Sequence, residues 1–366
     1  GRIKMDGIPV YTIQNREFSS SYYYNFTPQD LPVGIYNMEV AVTALNGDRP
    51  QHTVNDTLRA SINIWDTDMG RQKVYFEQFT ATWCPYTIGT LYSTKALAAA
   101  RDDVAFVLIH NNDELSCNTG NEYKVFYTGT PETTLDRYSN DSKSMAYCGV
   151  YESYIDNAKA RPSFANVNIV AGYDETSRQL FIKVSGEKHE CFDIFEKYAN
   201  LTVLLTEDSV VCPQYDGQNK RTIIWKHQAV LRNNVSEIWG DPIEWNGKTY
   251  EKKYSVTLDN RWDKDNMKIV AFLAKPFTGK NFNEIYNINC NDFSVRDAIY
   301  ATSIEDLDDS VCGDVNGDGI VNGTDIQAVI NAIVDGEYDE KADVNEDGNV
   351  NGTDIQEVIN IIVNAE

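Results

Sequence analysis

The sequence predicts a multidomain α+β chain: an N-terminal β-sandwich, an α/β domain, a second β-sandwich and a small α-helical module at the C-terminus. Three observations carry this prediction. Apolar and polar residues alternate with period two over the first 66 residues and again beyond residue 161. Between them, one strand–turn–helix unit is centred on Trp83-Cys84-Pro85, and the C-terminal stretch repeats one unit with a period of 29 residues. The expected boundaries are 1–66, 67–160, 161–302 and 303–366, and a length of 366 residues is ample for several cores.

In the first module Tyr36, Met38, Val40 and Val42 alternate with Asn37, Glu39 and Thr43. Asn46-Gly47 supplies a turn, and Leu58, Ala60, Ile62 and Ile64 alternate again. About four strands are recognisable, fewer than an immunoglobulin-like sandwich needs, so the module is expected to be incomplete at its N-terminus. Tyr22-Tyr23-Tyr24 is expected to pack on neighbouring strands rather than form a sugar-binding surface.

The second module opens with Val74 to Phe79, an apolar and aromatic strand candidate, followed by a small-residue turn, Trp83-Cys84-Pro85-Tyr86-Thr87, and a helix to about Ala100. A cysteine on the first turn of a helix meets unpaired backbone N–H groups that favour thiolate over thiol. Val104 to His110 reads as a buried parallel strand, and Gly129-Thr130-Pro131 as a turn into another extended run. At these residues the chain resembles the thioredoxin-like superfamily. The resemblance implies that Pro131 is cis and faces Cys84, which with Thr87 and Pro131 forms the candidate thiol site. Two departures bear on the chemistry. Thr87 stands where dithiol enzymes carry the second cysteine, and a hydroxyl cannot close a disulfide. Gln78 stands where those enzymes often carry a buried acid. His110 as a helper base, and Cys117 as a substitute resolving thiol from the 110–131 insertion, are the compensations the sequence offers.

From Ser163 to about Ala298, strand signals recur at Phe164–Val170, Leu180–Val184, Leu201–Leu205, Thr222–Leu231, Tyr250–Leu258 and Lys268–Ala274, which predicts the second sandwich. The run from Leu201 to Asp208, then Gln214, His227 to Arg232 and Trp239-Gly240, resembles the 28-kDa outer-membrane-protein-related family of Gram-negative envelopes. That resemblance implies an extracytoplasmic location, at the outer membrane, on the cell surface or secreted, and no defined reaction. His227 and Arg232 lack a neighbouring nucleophile motif and are read as structural.

The repeat is the most specific signal. VNGTDIQ occurs identically at Val321 to Gln327 and Val350 to Gln356. Oxygen-bearing side chains fall at loop positions 1, 3, 5, 9 and 12: Asp314, Asn316, Asp318, Asn322 and Asp325, then Asp343, Asn345, Asp347, Asn351 and Asp354. Gly319 and Gly348 sit at the sharp-turn position, and the carbonyls of Ile320 and Asn349 supply position 7. Such a cage of hard oxygens suits Ca²⁺, so two calcium ions are expected. Each loop opens a helix with one apolar stripe, and neither has room for a helix before it. A loop–helix pair written twice resembles a type I dockerin, which implies a cohesin-like protein partner met by loop positions 10 and 11, Gly323-Thr324 and Gly352-Thr353. The basic residue often found late in each dockerin helix is absent, with Asn331, Asp335, Asn360 and Asn364 in that region.

With 32 basic against 55 acidic residues the net charge is −23, which disfavours binding to nucleic acid or to an anionic membrane surface. No apolar run is long enough to span a bilayer, and a signal peptide or lipid anchor removed before Gly1 is part of the expectation. Seven cysteines are too few for a disulfide scaffold, and no Cys/His spacing fits zinc. Three functions compete: an interaction platform docked by a calcium-loaded tail, a monothiol exchange enzyme using Cys84, and a carbohydrate-binding accessory protein of a polysaccharide-degrading system. The first leads.

Overall fold

A computed structural model describes residues 2–6, 8–12, 31–41, 57–126, 129–137, 152–276, 295–301, 313–316, 321–336, 338–345 and 347–364. The chain divides into two compact units, Gly1–Met69 with His189–Lys197, and Gly70–Lys188 with Tyr198–Glu366.

The first unit contains β1 (Arg2–Met5), β2 (Ile8–Thr12), β3 (Gly34–Ala41) and β4 (Thr57–Ile64) in one antiparallel sheet of order β2-β1-β3-β4. Its longest ladder pairs β3 with β4 from Gly34↔Ile64 to Ala41↔Thr57, the two alternating runs expected. A later segment, His189–Lys197, joins this unit, which a linear reading of the chain cannot see. Among the described residues there is one sheet layer and not two. Tyr22 to Tyr24 and the Asn46-Gly47 turn lie outside the described residues.

The second unit is built on β5 (Val74–Thr80), the Thr87–Ala100 helix and β6 (Val104–His110), with β5 and β6 parallel and in register from Val74↔Val104 to Thr80↔His110. Every residue of both strands is buried, because each face of the pair carries a core layer. Tyr75, Phe79, Val107 and Ile109 face one cluster with Tyr123, Phe126 and Phe272. Phe76, Phe106 and Leu108 face another with Leu91 and Leu97 of the helix and Ile155 of the Glu152–Lys159 helix. The Thr87–Ala100 helix buries Thr87, Ile88, Thr90, Leu91, Thr94 and Leu97, a stripe of helical spacing, while Tyr92, Lys95 and the alanines from Ala98 to Ala100 are exposed. Burial of each large aliphatic side chain contributes about 1.5–3 kcal/mol. On the free side of β5, β7 (Glu132–Leu135) pairs antiparallel, directly after the Thr130–Pro131 peptide.

The following strands are β8 (Asn168–Asp174), β9 (Gln179–Glu187), β10 (Asn200–Glu207), β11 (Val210–Asp216), β12 (Arg221–His227), β13 (Val230–Asn234), β14 (Asp241–Pro242), β15 (Thr249–Thr257), β16 (Met267–Ala274) and β17 (Val295–Ala301). They correct the expected second sandwich over 161–302. Strands β10, β13, β16 and β17 continue the same mixed sheet, whose order is β17-β16-β10-β13-β6-β5-β7 with β14 paired to β10. Only β15-β9-β8 form a sheet of their own, and β11-β12 is a separate hairpin. The physical reason is the outer edge of β6, where β13 pairs in parallel through Val230↔Leu108 and draws β10 and β16 after it. The run read as one strand from Thr222 to Leu231 is two. Ala229 takes φ of 51° between them, its N–H donates to Asp208 Oδ1 at 2.6 Å and its carbonyl accepts Leu108 N–H at 2.7 Å. The chain thus leaves the hairpin and enters the sheet at one left-handed residue.

The C-terminal helices, Gly323–Asp335 and Gly352–Asn364, pack on a small core of Val315, Val329, Ala342, Val344 and Val358. Among the described residues no helix is long and apolar enough to cross a membrane.

Candidate functional sites: a shielded thiol loop and two calcium loops

Strand β5 delivers the chain into the 81–86 turn, which Cys84 N–H and Thr87 N–H close by donating to Ala81 O (3.3 Å) and Cys84 O (3.4 Å). The helix begins at Thr87 with Tyr86 as its N-cap residue, so Cys84 lies two residues before the cap rather than on the first turn. Cys84 is 2% exposed, and its Sγ donates to Thr130 O at 3.1 Å, beside the cis Thr130–Pro131 bond. Pro131 is buried. Thr87 is fully buried and its Oγ1 has no hydrogen-bond partner. Gln78 fills the place of the buried acid with neutral contacts, donating from Nε2 to Thr133 Oγ1 (3.3 Å) and accepting from Thr94 Oγ1 (3.2 Å). Trp83 and Tyr86, in contrast, stand 50% and 76% exposed on either side of the hidden sulfur.

The β11-β12 hairpin lies on the backbone of this loop. Tyr215 N–H donates to Thr82 O (2.8 Å), Gly217 N–H to Pro85 O (3.2 Å), and the buried Gln214 Nε2 to Thr82 O (3.1 Å). A Cβ on Gly217 would lie 2.4 Å from both Pro85 O and Pro85 Cβ, so only glycine permits this approach. From the other side Asp113 fixes the loop. One carboxylate oxygen, Oδ2, accepts Thr82 N–H and the His110 ring, each at 2.8 Å. Burial pushes the Asp113 carboxyl up, while the His110 contact and the backbone donors bring it net below its usual range.

His110 is therefore committed to Asp113, and its ring meets that of His227 edge to face at 5.1 Å. His227 is completely buried, neither ring nitrogen has a hydrogen-bond partner, and burial with the neighbouring His110 lowers its pKa to about 4. Cys117 precedes the Asn118–Glu122 helix and packs against the Tyr75–Phe272 cluster. Burial raises its pKa, the reverse of what a resolving thiolate needs. Cys84, Cys117, Cys191 and Cys212 are free thiols. Asp113, Gln214 and Gly217 were not singled out for this loop; the spacing of Asp113 three residues after His110 is the one local signal of them.

In the C-terminal repeat the described parts of the two loops make matching contacts. Asp325 accepts the N–H groups of Asn316 (3.1 Å) and Asn322 (2.8 Å), and Asn322 Oδ1 accepts Thr324 N–H (2.8 Å) as a capping box. Asp354 does the same for Asn345 (3.1 Å) and Asn351 (2.8 Å), with Asn351 Oδ1 accepting Thr353 N–H at 2.9 Å. Asp343 accepts the N–H groups of Asp347 (3.1 Å) and Gly348 (2.9 Å), and Gly348 has the positive φ of 83° that the sharp turn requires. Asn349 N–H donates to Asp347 Oδ1 at 2.9 Å. Asp318 and Ile320 lie outside the described residues.

Asp314, Asp325, Asp343 and Asp354 are all at most 5% exposed. Residues 313–366 contain thirteen acidic residues and one lysine, Lys341. Buried carboxylates without a cation are costly, and the donors are all hard oxygens, so the residues present fit Ca²⁺. Among the described residues no three His, Cys, Asp or Glu side chains converge on one centre; the carboxylates here are turned to backbone N–H groups. Gly323, Thr324, Gly352 and Thr353 are exposed at the two helix starts, with each threonine hydroxyl bonded to its loop asparagine at 3.0 Å.

Two family models match parts of the chain. Residues 119–283 match the family model of the outer membrane protein Omp28, and residues 312–363 match that of the dockerin type I domain. The chain carries an Omp28 domain followed by a dockerin type I domain, and its place is the envelope, outside the cytoplasm. HBP35 of Porphyromonas gingivalis is similar in structure, at 18% identity and a TM-score of 0.54, over 65% of this chain and 77% of that one, which shows a shared fold. A domain of the outer membrane lipoprotein Omp28 from the same organism aligns over 38% of this chain and 96% of its own, at 18% identity and a TM-score of 0.25. No curated protein matches the chain. A dockerin type I domain typically binds calcium and implies a cohesin-type protein partner.

Proposed function

We propose that this envelope protein is a docked interaction platform. Two calcium ions order its tail, one held by Asp314, Asn316, Asp318, the Ile320 carbonyl, Asn322 and Asp325, the other by Asp343, Asn345, Asp347, the Asn349 carbonyl, Asn351 and Asp354. The ordered tail presents Gly323-Thr324 and Gly352-Thr353 to a cohesin-type partner, and the thioredoxin-like core serves as a scaffold in which Cys84 does no dithiol chemistry. The observation that carries this reading is the contrast in exposure. The helix starts of the tail are open to solvent, whereas Cys84 is 2% exposed with Thr87, not a second thiol, beside it.

The test is calorimetric titration of the full chain with a purified type I cohesin module. Binding is expected in millimolar calcium, is expected to vanish in EGTA, and is expected to weaken in the combined Thr324→Arg, Thr353→Arg variant. Failure to bind in calcium overturns the docking role. Insulin-disulfide turnover that disappears in Cys84→Ser would instead establish monothiol exchange at Cys84.

A further inference from the structure

The β11-β12 hairpin has one edge engaged and the other open. Tyr215 N–H and Gly217 N–H turn away from β12, toward Thr82 O and Pro85 O. In an antiparallel ladder, residues two apart share an edge, so Val211 and Pro213 turn outward with Tyr215. Their partners across the ladder, Lys226, Ile224 and Thr222, therefore point their own N–H and C=O groups away from β11. Pro213 falls on such an outward position, the only kind that costs no ladder bond. Among the described residues no second strand lies beside β12, and the side-chain donor to this edge is Gln228 Nε2, at 3.4 Å from Lys226 O.

A groove of about 280 Å³ runs along the same edge. Phe106 and Leu108 form its floor, Leu91 and Ala98 line the helix side, and Trp225 and Ala229 the strand side. Leu91, Phe106, Leu108 and Ala229 belong to the buried core, so the groove opens onto core surface. Tyr92 braces the Trp225 ring edge-on at 4.8 Å. Lys226 borders the groove too, and its side chain stands on the outer face of the hairpin, across from the exposed Val211, so the strand meets the groove with its edge. The volume is just below the range of small-molecule sites, about 300 to 1,000 Å³, and suits a single apolar side chain.

The charge of this edge selects its occupant. From Gly217 to Ala229 the chain carries Lys220, Arg221 and Lys226 and no acid, within a protein of net charge −23. Across the groove, Lys95 Nζ stands 5.9 Å from the centre of the Trp225 ring. A lysine on an open edge repels a second copy of the same strand and accepts a strand of opposite charge. Acids elsewhere on the chain act weakly here, because salt screens charges beyond about 8 Å.

We propose that β12 takes up an extended acidic segment of a partner protein by strand addition. Main-chain hydrogen bonds form to Thr222, Ile224 and Lys226. The incoming residue opposite Trp225 lies on the same side of the ladder as that indole, and its apolar side chain enters the groove. The residues before and after it fall on the outer face, where a carboxylate meets the Lys226 ammonium. The inference is independent of the docking role, because no residue of the tail contributes to this edge.

Calorimetry on the full calcium-loaded chain tests it, with acetyl-Thr-Glu-Thr-Glu-Leu-Glu-Thr-Glu-Thr-amide as the probe. One peptide per chain is expected, binding about tenfold or more tightly than the same peptide N-methylated at the leucine and its two neighbouring glutamates, which lacks the main-chain donors. Alanine in place of the leucine is expected to weaken binding about tenfold, and Lys226→Glu about fivefold. Ile224→Pro removes an outward N–H at the position directly across from Pro213 and is expected to abolish binding. The methylated peptide, used on the wild-type chain, keeps the test decisive if Ile224→Pro unfolds. No heat with millimolar peptide, equal affinity for the methylated peptide, or no loss with alanine for leucine overturns the proposal.

Discussion

Buried acids occur in both the sheet core and the dockerin tail, but the two regions neutralise them differently. In the core, Glu77 is fully buried and receives Arg137 Nη2 at 2.5 Å and Nε at 3.0 Å, with the Tyr75 hydroxyl (3.0 Å) and Thr134 Oγ1 (3.3 Å) completing its shell. The Arg137 guanidinium is itself enclosed by the rings of Tyr123 and Phe126, each 4.5 Å away, and of Phe272 at 5.2 Å. Glu77 and Tyr75 hold that guanidinium firmly protonated against the cost of its burial. Asp136, buried next to it, ion-pairs with Arg71 and Arg161 at 3.2 and 3.1 Å. In the tail, Asp325 and Asp354 are just as buried, and what they accept is backbone N–H. The core supplies its own cations to these acids, whereas the described tail acids meet backbone N–H groups and, on the proposed reading, take their cations from solution.

The largest expected effect follows from that difference. Removing calcium with EGTA is expected to abolish amide-exchange protection over 323–335 and 352–364 while leaving β5 and β6 protected. A ligand present at about a thousand times its dissociation constant contributes about 4 kcal/mol to the state that binds it, comparable to the whole stability expected of so small a module. Equal protection of the two helices with and without EGTA would break the contrast.

The same contrast can be broken from the core side. Arg137→Met leaves Glu77 buried and unpaired, at an expected cost of about 3–5 kcal/mol in denaturant unfolding. Adding Glu77→Leu removes the stranded charge and is expected to restore most of that loss. If the double variant is no more stable than the single one, the pair acts through packing and not through charge.

His227 is a third case, a buried titratable group with no counter-charge of its own. The groups that face it are His110, Asp113 and Arg232. Its pKa falls from 6.5 to about 4 in the folded chain. The unfolded chain therefore takes up the proton first as pH drops, so this contribution to stability is present above about 6.5 and is lost progressively down to about 4. At about 1.4 kcal/mol per unit, the loss is about 3 kcal/mol. His227→Phe is expected to flatten this part of the stability profile between pH 6.5 and 4, and an unchanged slope would assign the dependence to other groups.

These contrasts also show what a sequence can and cannot disclose. The tail was legible because calcium ligands follow one another in the chain, so VNGTDIQ carries both the loop and the helix start in seven consecutive residues. The β5–helix–β6 unit was legible for the same reason, as a local pattern of strand, turn and helix. The union of β10, β13 and β16 with that unit was not, although the largely apolar, buried runs of β10 and β16, unlike the alternation in β3 and β4, are the mark of strands buried on both faces. The partners of the Cys84 loop were hidden for a related reason. Gln214 and Gly217 reach it from some 130 residues away, and the closeness of Gly217 to Pro85 is written only as the lack of a side chain.

The smallest predicted effect tests that last closeness directly. Gly217 allows the hairpin to lie on the Pro85 carbonyl of the Cys84 loop; a methyl group there would sit 2.4 Å from that oxygen, well inside contact distance. Since backbone on both sides resists displacement, Gly217→Ala is expected to lift the hairpin at a cost of about 1–3 kcal/mol. Thr82 O then loses some of its donors, the turn loosens, and Cys84 becomes reachable. Iodoacetamide should modify Cys84 slowly in the native wild-type chain and faster in Gly217→Ala under the same conditions, with the labelled residue identified by mass spectrometry. Gly89→Ala is the control, because a Cβ there meets nothing within 4 Å and the helix should gain about 0.5–1 kcal/mol. Its labelling rate should match wild type. A wild-type Cys84 that alkylates as fast as it does in denaturant would show that the hairpin opens freely, and the thiol loop would then belong, like the tail, to the parts of the molecule open to partners.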